Sequence, residues 1–242
     1  MAKRIFIAGA TGAIGRPLVG LMLEAGHTVV AVTRSAERAA LLRQQGVEAV
    51  EVDVFDAPAL EAAMLAAKPE VVMHQLTDLP KNLDPAQMPA ARQRNARIRD
   101  EGTRNLIAAG VAAGARRIVA QSIAWCYAPG PLPHRENDPL IEPAADDTAV
   151  TLRGVLALER QVLAAPMAAV VLRYGHLYGP GTGTDTPPAS MPLHVDGAAY
   201  AALLAMERGA GVYNIAETDD EVSTDKARRE LGWRPGGSEG RT

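Results

Sequence analysis

Apolar residues along the chain fall into two alternating kinds of run. Short β-branched runs lie at Ile5–Ala8, Thr28–Thr33, Ala49–Val52, Val71–Met73, Ile118–Gln121 and Ala169–Leu172, each bounded by glycine, proline or charge. Between them, Pro17–Ala25, Ala36–Gln45, Ala59–Ala67, Ala91–Ala113 and Leu152–Ala164 repeat their apolar positions at helical spacing. Strands that are apolar throughout need cover on both faces, which a parallel sheet between two helix layers provides. Repeated strand–helix units therefore predict a doubly wound parallel α/β sheet. Past about Gly175 the pattern decays into Y-G-P-G-T-G-T-D-T-P-P-A-S-M-P, which predicts a mobile loop. A helix (Gly197–Glu207), a short strand (Val212–Ile215) and a helix (Thr224–Leu231) close the chain. The expected division is a sheet domain over 1–175 and a small substrate lobe over 176–242, packed as one unit.

Composition narrows the class. At 242 residues the chain can form one large domain, and 48% hydrophobic with 22% charged residues is ordinary globular usage. Aromatics are only 4%, so the core must be built from Ala, Val, Leu and Ile. A net charge of −3 with no Lys/Arg run argues against a nucleic-acid partner. The single cysteine, Cys126, excludes an internal disulfide and a cysteine metal cluster and fits a reducing compartment. No apolar stretch approaches the ~20 residues that span a bilayer. Lys3 and Arg4 could open a signal peptide, but the apolar run after them breaks at Gly9 and soon meets Arg16. The expectation is a cytoplasmic protein with a small-molecule substrate, no membrane or nucleic-acid partner, no metal site among its scattered histidines, and room for a homodimer.

The first strand runs into G-A-T-G-A-I-G, with Gly9, Gly12 and Gly15 three apart where a helix begins. Bare backbone at such a junction allows tight turns and lets a pyrophosphate lie against the helix N-terminus, where the dipole favours an anion. Pro17 suits the first helical turn. The alternative is a helix that merely packs closely on its strand. The position inside a βαβ unit favours the dinucleotide site.

G-A-T-G-A-I-G also resembles the first turn of the extended short-chain dehydrogenase/reductase superfamily, the epimerase/dehydratase branch. E-V-D-V (Glu51–Val54), E-G-T-R-N-L (Glu101–Leu106), L-R-Y-G-H-L-Y-G-P (Leu172–Pro180) and R-R-E-L-G-W-R-P (Arg228–Pro235) match further family motifs in order. The resemblance implies a Rossmann-type fold and a nicotinamide cofactor. It carries cofactor contacts onto Gly9, Thr11, Gly12, Ala13, Ile14 and Gly15, onto Asp53 and Val54 at the adenine, and onto Leu76, Thr77, Gln121 and Tyr174 along the cofactor path. After the second strand, where an NAD enzyme places Asp or Glu, the chain offers Thr33, Arg34, Ser35 and Arg38. Hydroxyls and cations there suit a 2′-phosphate, so NADP is expected over NAD. A solvated helix start with Ser35 as N-cap is compatible with this.

Catalysis in the superfamily resembles this chain less. The usual Tyr-x-x-x-Lys is followed by Glu four residues on; that Glu matches Glu159, which puts Thr151 and Val155 in the tyrosine and lysine positions. No tyrosine lies between Tyr127 and Tyr174. V-A-Q-S-I-A-W-C-Y (Val119–Tyr127) resembles the family's serine strand end with Ile123 at the usual hydroxyl position and Ser122 one place earlier. Ser122, Tyr127 and His176 are the candidate catalytic residues, His176 because an imidazole ordinarily exchanges protons near neutrality. His74 stands beside the cofactor path, and each of these residues also has a purely structural reading. Asp146 and Asp147 read as helix caps. The short span between Y-G-P and His194 implies a small substrate pocket. Two classes of function follow: an NADP-dependent oxidoreductase or epimerase-like enzyme acting on a small carbonyl or alcohol with an altered proton donor, or a non-catalytic NADP(H)-binding sensor. A redox-neutral lyase or isomerase is a third option.

Overall fold

The computed structural model describes residues 1–80, 84–144, 148–218 and 220–236. Seven strands form one sheet, namely β1 (Arg4–Ala8), β2 (Thr28–Thr33), β3 (Glu48–Glu51), β4 (Val71–His74), β5 (Arg117–Ile123), β6 (Ala168–Tyr174) and β9 (Gly211–Ile215). Their order is β3-β2-β1-β4-β5-β6-β9 and every pairing is parallel. The chain direction reverses its march at β1, so the carboxyl ends of β1 and β4 flank the crevice where such sheets bind ligands.

Alternation within β1 shows why these strands read as apolar throughout. Ile5 and Ile7 face one helix layer, packing with Leu18, Met22 and Ala198. Phe6 and Ala8 face the other, packing with Leu60, Met64, Leu106 and Leu158. The first layer holds α1 (Gly15–Glu24), α2 (Ala36–Gln44) and α7 (Val195–Glu207); the second holds α3 (Ala57–Ala67), α5 (Thr103–Ala112) and α6 (Ala149–Leu163). The doubly wound sheet expected from the sequence is present. No helix among the described residues is long and apolar enough to cross a membrane.

Three features depart from the expected elements. The helix expected over Ala91–Ala113 is α4 (Met88–Arg97) and α5 joined through a π-helical turn at Ile98–Gly102. The extra residue that a π turn inserts shifts the helix face by most of one position. Next, β7 (His176–Tyr178) and β8 (Pro192–His194) pair in a small parallel sheet of their own, hidden in sequence by the Pro/Gly-rich stretch between them. That stretch folds on itself, with Gly179 N–H donating to Thr184 O at 2.8 Å and Thr182 Oγ1 to Gly179 O at 2.8 Å. Finally, the expected boundary at 175 falls between β6 and β7, and beyond it the chain returns to supply β9, α7 and the buried Trp233.

At one end of the sheet a buried polar network joins β5, α6, β6 and β9. Arg173 on β6 donates to both carboxylate oxygens of Glu159 on α6, at 3.0 and 2.7 Å, and Ser122 Oγ on β5 donates to Glu159 Oε1 at 2.6 Å. Arg173 Nη1 also reaches the Tyr127 hydroxyl at 2.7 Å, and that hydroxyl donates to Asn214 Oδ1 on β9 at 2.6 Å. Burial works against the Arg173 charge, but the facing Glu159 carboxylate more than offsets it and holds the guanidinium pKa above its ordinary value. Removing one partner of such a pair strands the other without water. Glu159→Ala should therefore cost about 3–5 kcal/mol of stability in urea denaturation. A Glu159→Leu/Arg173→Met double variant should recover most of that loss; a double variant no better than the single would show that packing, not the stranded charge, sets the penalty.

Candidate functional site

The glycine turn after β1 has the shape that its spacing suggests. Gly9 sits at φ +102°, in the left-handed region, and a Cβ there would lie 2.3 Å from Gln75 O. A Cβ on Gly15 would lie 2.0 Å from Gly9 O, so this residue must be glycine for α1 to press against β1. Gly12 differs: a Cβ would meet only Gly9 O, at 3.3 Å, with nothing else within 4 Å. Its missing side chain therefore leaves space outside the turn. No side chain caps α1 and no acidic residue occupies its first turn, so the N–H groups that follow Thr11, at Ala13, Ile14 and Gly15, lie at a helix start free of a competing carboxylate. This cradle fits a dinucleotide pyrophosphate.

The other predicted cofactor residues converge on the same end of the sheet. At the end of β2, Thr33 Oγ1 accepts from Ser35 N–H at 3.2 Å, and Ser35 Oγ caps α2 by accepting from Arg38 N–H at 3.2 Å. Arg34 extends into solvent, its Nη1 3.9 Å from Asp53 Oδ2. Asp53 Oδ1 turns back to accept from Phe55 N–H, and Asn105 Nδ2 donates to Val54 O at 2.9 Å. At the end of β4, Leu76 is clamped from both sides: its N–H donates to His74 Nδ1 at 3.4 Å and its carbonyl accepts from Gln121 Nε2 at 3.1 Å. Burial lowers the His74 pKa to about 4, so the imidazole is neutral and its Nε2–H donates to Thr103 Oγ1. His74 thus ties the loop after β4 to Thr103. Thr77 is exposed beside it. Tyr174 is buried, its hydroxyl donating to Ala198 O at 3.1 Å, so it supports the site from beneath.

The three catalytic candidates end in different surroundings. The Ser122 and Tyr127 hydroxyls are both held within the buried network, and burial pushes the Tyr127 phenol up to about 12. His176 is half-buried at the start of β7, its Nδ1–H donating to Ser190 O at 3.0 Å. A cleft of about 300 Å³ opens here, lined by Trp125, Tyr127, Leu132, His134, His176 and Met191 among others. On α6, Thr151 is half-buried and Val155 buried, and the helix carries neither tyrosine nor lysine. Asp146 and Asp147 lie outside the described residues.

Sequence reasoning missed two contributors. Glu159 served only as an alignment anchor, yet it holds Ser122 and Arg173 together. Arg99, within the π turn, places its Cδ 3.4 Å from where a Gly154 Cβ would be; burial lowers its pKa, against the pull of Cys126 and Glu159 nearby. It stands one helical turn from the buried Asn95 and Thr103, but among so many charged neighbours an arginine gives no sign of burial in the sequence.

A glycine cradle at the carboxyl end of a doubly wound parallel sheet, beside a clamped β4 loop, defines a fold built to receive a dinucleotide. A family model described as NAD(P)H-binding matches residues 9–186, and the chain belongs to that family. It is similar to a 3-diazoavenalumate denitrifying reductase from a Streptomyces species, 45% identical over 226 residues, covering 90% of this chain and 69% of the reductase. It is also similar to the photosystem II assembly factor Ycf39 of Synechocystis, 31% identical over 121 residues, covering 50% of this chain and 33% of that factor. Among solved structures, a UDP-glucose 4-epimerase from Thermotoga maritima superposes with a TM-score of 0.75 at 19% identity, covering 96% of this chain and 93% of that one. A Bordetella bronchiseptica enzyme in complex with NAD and UDP gives 0.73 at 21% identity, covering 97% and 89%.

Two glycine substitutions should separate binding from folding. Gly12→Val should abolish NADP(H) binding in calorimetry while lowering the melting temperature less than Gly15→Ala does, since its Cβ would crowd only Gly9 O, at 3.3 Å. Gly15→Ala should lower the melting temperature further, because its Cβ meets backbone. Unchanged affinity in folded Gly12→Val would remove the pyrophosphate from this turn.

Proposed function

We propose that this protein is an NADPH-dependent reductase that delivers hydride to a small electrophile whose reduction needs no acid from the protein, with an arenediazonium ion as the substrate class. The observation that carries the reading is the combination of α6 and its neighbours. That helix supplies neither phenol nor ammonium, and the nearby Ser122 and Tyr127 hydroxyls are committed to Glu159, Arg173 and Asn214.

The bound cofactor would lie across the cradle at Gly12 and Leu76 and would supply a hydride at the cleft. A carbonyl accepting hydride becomes an alkoxide and needs a proton from a positioned acid. A diazonium carbon accepting hydride gains a C–H bond while its C–N bond breaks, and dinitrogen leaves with that electron pair, so no acid is required. The small carbonyl or alcohol expected from the sequence would depend on His176 as donor; the diazonium substrate asks nothing of it. The name of the 45%-identical Streptomyces reductase supports the second chemistry.

The preference for NADPH rests on Arg34, whose side chain is 64% exposed and makes only a 3.9 Å approach to Asp53, with Arg38 one helical turn away. A guanidinium so placed can pair bidentately with a 2′-phosphate. Ser35 contributes less, because its hydroxyl already caps α2. Arg34→Ala should weaken NADPH by about 1.5–3 kcal/mol while leaving NADH nearly unchanged. Equal losses for both cofactors would assign the site to NAD.

The reaction is tested with an arenediazonium salt and, in parallel, a panel of small ketones and aldehydes, each with NADPH and each corrected for the rate without protein. Dinitrogen release should match NADPH consumed, and Thr151→Ala and folded Tyr127→Phe should keep kcat within a few-fold. A loss of ~10²-fold in Tyr127→Phe would make the phenol an acid after all. Carbonyl turnover that falls by ~10²-fold in His176→Ala would restore the carbonyl reading. No turnover on any substrate would favour a cofactor-binding sensor.

A further inference from the structure

We propose that the cleft at the strand ends is a slot for a planar aromatic ring, with Trp125 as its stacking wall. The proposal rests on the reading of this cleft as the substrate site of a reductase and names the shape of what enters it.

Two parallel ring pairs line the cleft. Trp125 and His176 stand with centroids 5.7 Å apart and planes 9° from parallel; Tyr127 and His134 stand 5.0 Å apart at 13°. The chain contains only two tryptophans, five tyrosines and two phenylalanines, so a concentration of rings here is not a sampling of a ring-rich sequence. The two tryptophans contrast. Trp233 is fully buried and its indole N–H donates to Gly197 O, whereas Trp125 is 42% exposed. Leaving that much indole in water is unfavourable unless something covers it.

The wall is also held in place. Ala124 N–H donates to Tyr174 O at 2.8 Å, fixing the backbone just before Trp125. Opposite, His176 N–H donates to Met191 O at 2.8 Å and its ring is fixed through Ser190 O. Met191 itself sits at φ 42°, a left-handed conformation that a non-glycine residue adopts only when its surroundings impose it. Rings fixed in near-parallel planes can extend the stack to a third ring at the same orientation without reorganising. Aromatic stacking at such offsets adds to simple apolar burial. The cleft of about 300 Å³ is at the small end for ligand pockets, which fits one ring with a short substituent.

The test uses two alcohols of matched shape, benzyl alcohol and cyclohexylmethanol, added to NADP⁺-loaded protein. A Trp233→Phe background leaves Trp125 as the only tryptophan, and its emission reports occupancy of the slot without turnover. Benzyl alcohol should bind about two- to tenfold more tightly than cyclohexylmethanol by calorimetry and should change Trp125 emission saturably. In Trp125→Leu, tested with native Trp233, the preference should vanish while NADP⁺ affinity is unchanged. Equal affinity for the two alcohols, binding that leaves the emission unaltered, or no binding of either would overturn the slot. Diazonium reduction that persists when aromatic preference is absent sinks this inference alone. Aromatic preference in a protein that reduces nothing sinks the reductase reading and leaves the slot standing.

Discussion

The arrangement of this molecule's functional end depends on one buried ion pair. Glu159 and Arg173 meet at 2.7 Å with side chains only 6% and 5% exposed. Neither charge could be carried into that environment alone, since the loss of hydration exceeds what burial of the side-chain stems returns. Together, with Ser122 and Tyr127 completing their hydrogen bonds, they become a rigid joint. Four elements and the 127–140 connection cannot move independently while it holds. Arg173 also donates to Glu136 O at 3.2 Å, and Glu136 Oε1 accepts from Asn214 N–H at 3.0 Å, so the loop that borders the cleft is tied to β9.

That joint has a chemical consequence. A strand-end serine and a tyrosine would ordinarily be available to polarise a substrate oxygen. Here the serine hydrogen goes to a carboxylate and the phenol is sandwiched between a guanidinium and an amide. The charge of Arg173 acts to lower the phenol pKa, but desolvation acts more strongly in the other direction. Rigidity and proton-donating capacity therefore compete for the same hydroxyls, and in this chain rigidity has taken them. What is left at the cleft is aromatic surface and imidazole, which suits positioning an electrophile better than acidifying it.

Legibility in the sequence followed the range of the physics. The glycine turn could be read because its spacing answers local contacts: a Cβ on Gly12 or Gly15 would meet Gly9 O within the same turn, although Gly9 itself also makes room for Gln75 just past β4. The parallel sheet could be read because a strand covered on both faces is apolar at every position, as Ile5 to Ala8 are. The Ser35 cap was visible for the same local reason. Glu159–Arg173 was not, because the partners are 14 residues apart on different elements and each looks like an ordinary solvated charge. The β7–β8 pairing rests on three residues per strand, too few for a period to emerge against flanking prolines and glycines. A π turn changes the hydrogen-bond register of a helix without changing its composition, so the interruption at Ile98–Gly102 left no mark in the sequence pattern.

The placement of aromatic residues follows from the same scarcity that shapes the core. Along α7, Ala198, Ala199, Ala201, Ala202 and Ala205 are all fully buried. Small residues at most inward positions, beside Val195, Leu203 and Met206, let that helix approach its layer closely. Apart from Phe6, the large rings that enter the interior carry a polar handle that is satisfied, as Tyr213 is by donating to Glu230 Oε2 at 2.8 Å and Trp233 by donating to Gly197 O at 2.9 Å. Trp125 lies outside this scheme. It fills no gap between layers, and it stands 42% exposed on the short turn between β5 and the network-bound loop. In a chain that builds its interior largely from alanine and valine, an indole left partly in water and stacked on His176 at a cleft beyond β5 belongs to that cleft more than to the core.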